Sequence, residues 1–210
     1  MSEIQEILVA TGNPGKIIEI RAMLDADVQW LGLTDLPPIP EIVEDGTTFA
    51  ENARKKAAGY AQATGLWTLA DDSGLLVDAL GGAPGVKSAR FSGEKPKGAE
   101  RTLIDHRNIA KTLELLKGVP QAKRTARFVC RLCLASPERI LIETEGTLEG
   151  LITDREIGQN GFGYDPIFFV PNLKKTVAQL TAEEKNAISH RGNAIRKLKP
   201  LLDELLRTDR

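Results

Sequence analysis

Cysteine is scarce in this chain: of 210 residues only Cys130 and Cys133 carry a thiol. Two thiols make no disulfide framework, and free thiols favour a reducing compartment, here the cytoplasm. Their C-x-x-C spacing matches a redox pair. The segment around them, Thr125 to Ala135, is nevertheless rich in strand formers, and strand residues three apart face opposite sides. A reactive pair needs a helix N-terminus to stabilise the thiolate, so two packed thiols are expected instead. Long apolar runs are also missing. None approaches the ~20 residues of a membrane-spanning helix. The first residues lack the basic start and apolar stretch of a secretory signal. A soluble cytoplasmic protein without a membrane partner is expected. Excess charge of either sign is absent: 28 Lys and Arg against 29 Asp and Glu give a formal net charge of -1. That excludes a basic footprint for a nucleic acid polymer, but not a free nucleotide, for which local positive charge is enough. There is no internal repeat and no low-complexity linker. The length fits one large domain or two intimate lobes, and 41% hydrophobic residues supply a core without staples.

What is present is an alternation of strand and helix signals. Ile7 to Ala10 is a short apolar run ending in a Gly/Asn/Pro turn, which reads as a buried strand. Asn13 is placed to cap a helix with Pro14 in its first turn, where a missing N–H costs nothing. Ile17, Ile20, Met23 and Leu24 then form a helical stripe. Residues 34–47 read as an extended loop. Thr48 and Glu51 form a capping box before an alanine-rich helix able to approach a neighbour closely. Leu66 to Ala70 is a probable strand that stops at Asp71, and Leu75 to Leu80 fits either a strand or a helix. Residues 81–85 read as an irregular loop. Residues 99–117 read as a helix with Ile109, Leu113 and Leu116 inward. Strands at 125–135 and 139–146 flank a hairpin turn, residues 148–152 extend the sheet, and 167–170 is a further short strand. Thr181 and Glu184 make a second capping box. Ser189 restarts a helix carrying Ile195, Leu198, Leu202 and Leu205, with a kink or break expected at Pro200. The pattern is α/β with a mixed sheet.

Four polar clusters stand out. Thr11, Gly12, Asn13, Pro14, Gly15 and Lys16 place turn amides, a helix start and a lysine together, which suits one anion. The common phosphate-loop motif does not match, because Gly12 and Gly15 are too close and Ile17 follows the lysine. Alone, the segment reads as an ordinary strand–helix turn with a surface lysine. Asp71-Asp72-Ser73-Gly74 sets two carboxylates side by side. A cation would relieve their repulsion, and magnesium takes one or two carboxylates plus waters and phosphate oxygens. Strand alternation would aim one Asp at a cleft and let the other hold loop backbone. A turn with two capping aspartates is the plainer reading. Glu41, Glu44 and Asp45 are further acids, by default solvated. Gly161, Phe162, Gly163, Tyr164, Asp165 and Pro166 combine permissive glycines with rings able to stack on a base. Core aromatics around a tight turn explain them equally well. Pro166 should hold Asp165 extended. Lys185, His190 and Arg191 supply donors for phosphate or carbonyl oxygens, or simply complement a helix terminus. His106 reads as a surface residue and Arg90 as a structural partner.

Five segments, ATGNPGK, FAENA, ADDSGLLVDALGGAPGVKSARFSG, GFGYDPIFF and EKNAISHRGNA, occur in order between residues 10 and 194. On them the chain resembles the inosine/xanthosine triphosphate pyrophosphatases, the Ham1-like noncanonical purine NTP pyrophosphatases, in their bacterial form. The resemblance implies an elongated mixed α/β fold, one pyrophosphatase domain over residues 1–210 with two lobes and a central cleft, and a homodimer. It implies hydrolysis of ITP, dITP and XTP to the monophosphate and pyrophosphate with magnesium. By motif, Thr11 to Lys16 would contact phosphate. Asp72 would be the catalytic residue and a magnesium ligand with Glu44, and Ser73 would contact substrate. Phe162, Gly163, Tyr164 and Asp165 would hold base and sugar, with Lys185, His190 and Arg191 completing the pocket.

The chemistry expected is attack by water at a triphosphate phosphorus, with Lys16 and Lys185 stabilising charge and Asp72 holding the metal or taking the water's proton. Donors at His190, Arg191 or backbone amides would favour a purine 6-oxygen over an adenine amine. A Maf-like pyrophosphatase for modified pyrimidines and a nucleotide sensor without catalysis are the alternatives.

Overall fold

The computed structural model describes residues 5–24, 28–93 and 100–208. Its strands are β1 (Glu6–Ala10), β2 (Gln29–Gly32), β3 (Trp67–Val77), β4 (Thr125–Ala135), β5 (Ile140–Ile152), β6 (Phe168–Val170) and β7 (Lys175–Thr176). They form one sheet in the order β2-β1-β3-β4-β5-β6-β7. β1 is parallel to β2 and to β3, with Leu8 opposite Leu31 and Thr68. β6 is antiparallel to β5 and to β7, so the sheet is mixed, as expected. The helices are α1 (Pro14–Met23), α2 (Phe49–Thr64), α3 (Arg101–Leu115), α4 (Ala182–Ile188) and α5 (His190–Thr208).

The chain divides into two compact units. Unit 1 is Met1–Asp72, Cys130–Gly146 and His190–Arg210, and unit 2 is Ser73–Val129 and Thr147–Ser189. In unit 1 strand alternation splits the apolar residues between two cores. Ile7 and Val9 of β1, Leu69 of β3, and Cys130, Leu132 and Leu134 of β4 meet Ile20 and Leu24 at α1 and Ile195, Leu198 and Leu202 of α5. Leu8 and Ala10, Ala70, Cys133 and Ala135 meet Ala53, Ala57, Tyr60 and Ala61 of α2. The two cysteines therefore lie in different cores, both free and buried. The α2 alanines admit the sheet closely. In unit 2 Leu75, Val77, Ala126, Phe128, Ile152, Phe168 and Val170 pack with Ile109, Leu116, Tyr164, Ile167 and Val177. Phe128 and Phe168 stack with ring centroids 4.3 Å apart.

Local signals act as read at the helix starts. Asn13 accepts the Gly15 N–H and caps α1. Thr48 and Glu51 close their capping box on α2, and Thr181 and Glu184 close theirs on α4.

Four expectations change. The expected helix from 99 begins at Arg101, residue 99 lying outside the described residues. β3 does not stop at Asp71 but runs through the acidic pair to Val77, because Lys16 and Arg191 neutralise Asp71 inside the sheet and Leu75 and Val77 continue its buried faces. Asp165 is not extended: it opens a 3-10 turn (Asp165–Ile167), its carboxylate accepting the Phe162 N–H at 2.9 Å. α5 passes through Pro200 without a break. Pro200 lies on the exposed side of α5, and Leu198 and Leu202 on either side of it hold the helix by burial.

Gly146 of β5 is where α5 begins its contact. A Cβ there would collide with the His190 carbonyl and the Ala194 amide, and would lie 2.8 Å from Asn193 Cβ. Two of these obstacles are backbone and cannot rotate away. Gly146→Ala is expected to lower unfolding free energy by at least about 1–3 kcal/mol, read as a reduced urea midpoint; an unchanged midpoint contradicts the tight approach.

Candidate active site

The loop after β1 is held by its own side chains. Thr11 Oγ1 accepts the Asn13 N–H at 3.2 Å, and Asn13 Oδ1 accepts the Gly15 N–H at 3.0 Å. Pro14 then opens α1. Thr11 is buried, while Gly12 is exposed and a Cβ there would meet nothing within 4 Å. The turn thus presents the start of α1 with its first lysine, Lys16, folded back so that Nζ lies 2.5 Å from Asp71 Oδ1.

Asp71 and Asp72 sit side by side on β3 and point to opposite faces. Asp71 is 1% exposed. Its Oδ2 accepts from Arg191 Nε at 2.7 Å and from the Cys130 thiol at 3.3 Å. Arg191 is equally buried, and its Nη1 donates to Glu19 of α1. Burial alone would raise the Asp71 pKa, but the charges of Arg191 and Lys16 outweigh it and hold the carboxyl well below its usual range. Burial likewise works against the Arg191 charge, and Asp71 outweighs it, so Arg191 is protonated at any working pH. Burial, helped by the Asp71 carboxylate and opposed by Arg191 and Lys16, pushes the Cys130 thiol well up, which leaves it an unreactive packing group.

Asp72 has the opposite environment. It is 8% exposed, and its Oδ2 is buried with no hydrogen-bond partner among the described residues. Burial pushes its pKa up to about 6, further helped by Glu44 and opposed by Lys16, Lys56 and Asn52. Glu44, on the loop before α2, pairs with Lys56 Nζ at 2.8 Å, and the same ammonium donates to the Asp71 carbonyl at 3.2 Å. Asn52 accepts the Gly46 N–H at 2.7 Å, tying that loop to α2. Lys56 and Asn52 are the residues sequence reasoning passed over. Their signal was present: both interrupt the buried stripe Phe49, Asn52, Ala53, Lys56, Ala57, Tyr60 of α2, where a polar residue demands a partner.

Asp72 and Glu44 are the side chains here with the donor chemistry for a divalent cation such as magnesium. The ion prefers one or two carboxylates and completes its shell with water and phosphate oxygens. Asp72 offers a buried oxygen with no partner among the described residues, and Glu44 a second carboxylate facing the same lysine. Among the described residues no three His, Cys, Asp or Glu side chains cluster.

Unit 2 carries the remaining candidates. Ser73 is half-buried on β3, and its neighbour Gly74 leaves room for Ser88, whose hydroxyl donates to the Gly85 carbonyl at 2.6 Å and accepts the Leu75 N–H at 2.9 Å. In the glycine loop, Gly161 and Gly163 adopt φ of 78° and 63°, which side chains rarely tolerate. Phe162 is half-buried under Lys185, whose Nζ stands 4.4 Å from the ring centroid and 2.6 Å from Asp165 Oδ2. Tyr164 is a core ring rather than an open one: it is 5% exposed and its hydroxyl donates to the Ser88 carbonyl at 2.9 Å. Burial raises its pKa. His190, 6% exposed, begins α5 beside Arg191 in unit 1.

Fold and site together define an α/β protein with a mixed sheet and a buried carboxylate framed by lysines. The comparisons with known proteins agree on what that class is. Residues 7–201 match the Ham1 family model. The dITP/XTP pyrophosphatase of Shouchella clausii is 49% identical over 200 residues, covering 95% of this chain and 98% of its own. That of Geobacillus kaustophilus is 46% identical, covering 97% of each. Among solved structures, the Ham1 protein of Staphylococcus aureus superposes with a TM-score of 0.82 at 42% identity, covering 95% of this chain and 99% of that one. A HAM1 protein from Coxiella burnetii gives 0.84 at 41%, covering 96% and 100%. The chain belongs to the Ham1 family.

Two stability measurements check the opposed roles of the ionic groups. Arg191→Met leaves Asp71 and Glu19 buried without their guanidinium and is expected to cost about 3–5 kcal/mol in urea unfolding. Asp72 behaves in the other sense. Its folded pKa of about 6 lies above the ordinary 3.8, so the folded chain holds this proton more tightly and stability is lost as pH rises between those values. In chelator, Asp72→Asn is therefore expected to be more stable than the parent at pH 7, by up to about 3 kcal/mol, and equal to it near pH 4. A variant destabilised at pH 7 in chelator contradicts the strained carboxylate.

Proposed function

We propose that this chain hydrolyses noncanonical purine nucleoside triphosphates, the dITP, XTP and ITP class, to the monophosphate and pyrophosphate with magnesium. The observation that carries the reading is the Asp72 carboxylate, buried with one oxygen unpartnered among the described residues and bordered by Lys16, Lys56 and Glu44. The names of the relatives, dITP/XTP pyrophosphatase, support the substrate class.

Asp72 and Glu44 would hold the cation, which when bound supplies charge neutralisation for the triphosphate and acidifies a water. Thr11 to Lys16 offer the triphosphate the start of α1, and Lys16 and Lys56 offer two ammonium groups for charge developing on the leaving pyrophosphate. Asp72 either holds the cation or, where it does not, takes the water's proton, a role suited by the rise of its metal-free carboxyl to about 6 through burial. Ser73 is assigned a substrate contact. The glycine loop, Phe162 to Asp165, is assigned to base and sugar, with Phe162 as the stacking ring and the Lys185 ammonium on one of its faces. Arg191 serves the reaction by fixing Asp71, its Nε and Nη1 being engaged by carboxylates, and His190 is the donor assigned to the purine 6-oxygen.

The whole chain acts as one pyrophosphatase domain, since β3, β4 and β5 each contribute residues to both units and neither unit has a complete sheet alone. A homodimer and a cytoplasmic location complete the proposal. The free buried thiols suit a reducing compartment, and among the described residues no helix is long and apolar enough to cross a membrane.

Turnover of a panel of dITP, XTP, ITP, ATP and GTP with magnesium tests the function. Pyrophosphate is expected from the first three, with ATP and GTP far slower; orthophosphate as the product, or equal use of ATP, overturns it. Asp72→Asn is expected to lower kcat by about 100-fold or more while remaining folded, and chelation of magnesium to abolish pyrophosphate release in the parent. Parent-like kcat in the variant removes Asp72 from the mechanism.

A further inference from the structure

The buried face of α3 mixes two kinds of residue. Ile104 and Ile109 lie beside Asp105, Asn108 and Thr112, none more than 8% exposed. Buried polar groups are costly unless partnered, and each of the three has found a different solution. Thr112 Oγ1 donates to the Asn108 carbonyl within the helix at 2.9 Å. Asn108 reaches outward, donating to the Ser88 carbonyl at 3.2 Å and accepting the Ser92 N–H at 2.8 Å. Asp105 accepts the Gly163 N–H on Oδ2 at 2.9 Å, while Arg101, one turn earlier, donates to its Oδ1 at 2.9 Å.

Gly163 is the turning point of the glycine loop, at φ 63°. Residues on either side are held elsewhere: the Phe162 N–H by Asp165, the Tyr164 hydroxyl by Ser88. The Gly163 anchor is an ionised side chain from a helix 58 residues away, so it ties the loop to the unit's core instead of to itself. A charge-assisted bond of this kind is stronger than a neutral one and fixes direction as well as distance. Arg101 in turn keeps the second carboxylate oxygen from swinging.

We propose that Asp105 is a positioning residue: through the Gly163 amide it fixes the turn that presents the Phe162 ring and the Lys185–Asp165 pair to a purine base. The inference rests on the glycine loop being the base-holding element. It predicts that losing Asp105 harms recognition of the base and not of the phosphates.

The test uses the full-length protein, with Asp105→Ala, Asp105→Asn and three readouts. Hydrogen–deuterium exchange at the Gly163 amide should rise in Asp105→Ala and stay near the parent in Asp105→Asn, whose amide oxygen still accepts that N–H. The Kd of inosine monophosphate should rise about tenfold or more in Asp105→Ala, with most of the affinity restored in Asp105→Asn. The Kd of inorganic triphosphate, which has no base, should not move in either. Parent-like exchange at Gly163 in Asp105→Ala overturns the anchor. Raised exchange with an unchanged nucleotide Kd, or an equal loss of both ligands, overturns the positioning role. A parent protein that binds inorganic triphosphate but no inosine monophosphate sinks the base-holding reading itself, and the exchange arm still decides whether Asp105 holds the turn.

Discussion

A guanidinium with almost no access to water holds unit 1 together. Arg191 at the start of α5 binds Asp71 of β3 and Glu19 of α1, and Asp71 also takes Lys16. Removing such charges from water costs several kcal/mol per ion, repaid only where every partner is in place. The knot therefore fixes three elements against one another far more narrowly than apolar packing would, since apolar contacts tolerate sliding and a buried ion pair does not. The turn from Thr11 to Lys16 inherits this precision, because the lysine that ends it is one strand of the knot.

The consequence for Asp72 is direct. Its neighbour absorbs the strong cations, and strand alternation turns Asp72 to the opposite side, where burial is not fully compensated. Two adjacent, chemically identical carboxylates are thereby given opposite properties: one permanently ionised and inert, the other raised to about 6 with an oxygen unpartnered among the described residues. Incompletely compensated burial at one residue thus sits beside surplus attraction at the next. In unit 2 the glycine loop follows a comparable rule. Its conformation is strained for any side chain and is retained because Asp105, Asp165 and Ser88 hold three consecutive residues.

Much of this was readable from the chain. The Asn13 cap with Pro14, the capping boxes at Thr48 and Thr181 and the opposed cysteines depend on neighbours within a few residues, and local chemistry decided them. The four polar clusters could be singled out from the chain as candidate ligand groups. Their partners were not readable. Asp71 looked like a strand end because nothing within ten residues could neutralise it; the cations that do so come from positions 16 and 191. Pro200 was expected to kink or break the helix, and α5 runs on through it with Pro200 on the exposed side, which the chain alone does not reveal. Tyr164 looked available for stacking until its hydroxyl was found on Ser88. Lys56 was hidden in an alanine stripe that reads as ordinary packing.

The sequence by itself determined the helix caps, the strand faces, the mixed α/β pattern and the residue types from which a triphosphate site can be built, because these follow from interactions spanning only a few residues. Tertiary structure alone decided which of the two aspartates is spent and which is poised, and that Arg191, Tyr164 and Asp165 have side-chain groups engaged by the protein itself. The physical reason is that a charge or a ring acquires its character from what lies within a few ångströms of it, and here those neighbours are supplied by segments as much as 172 residues apart.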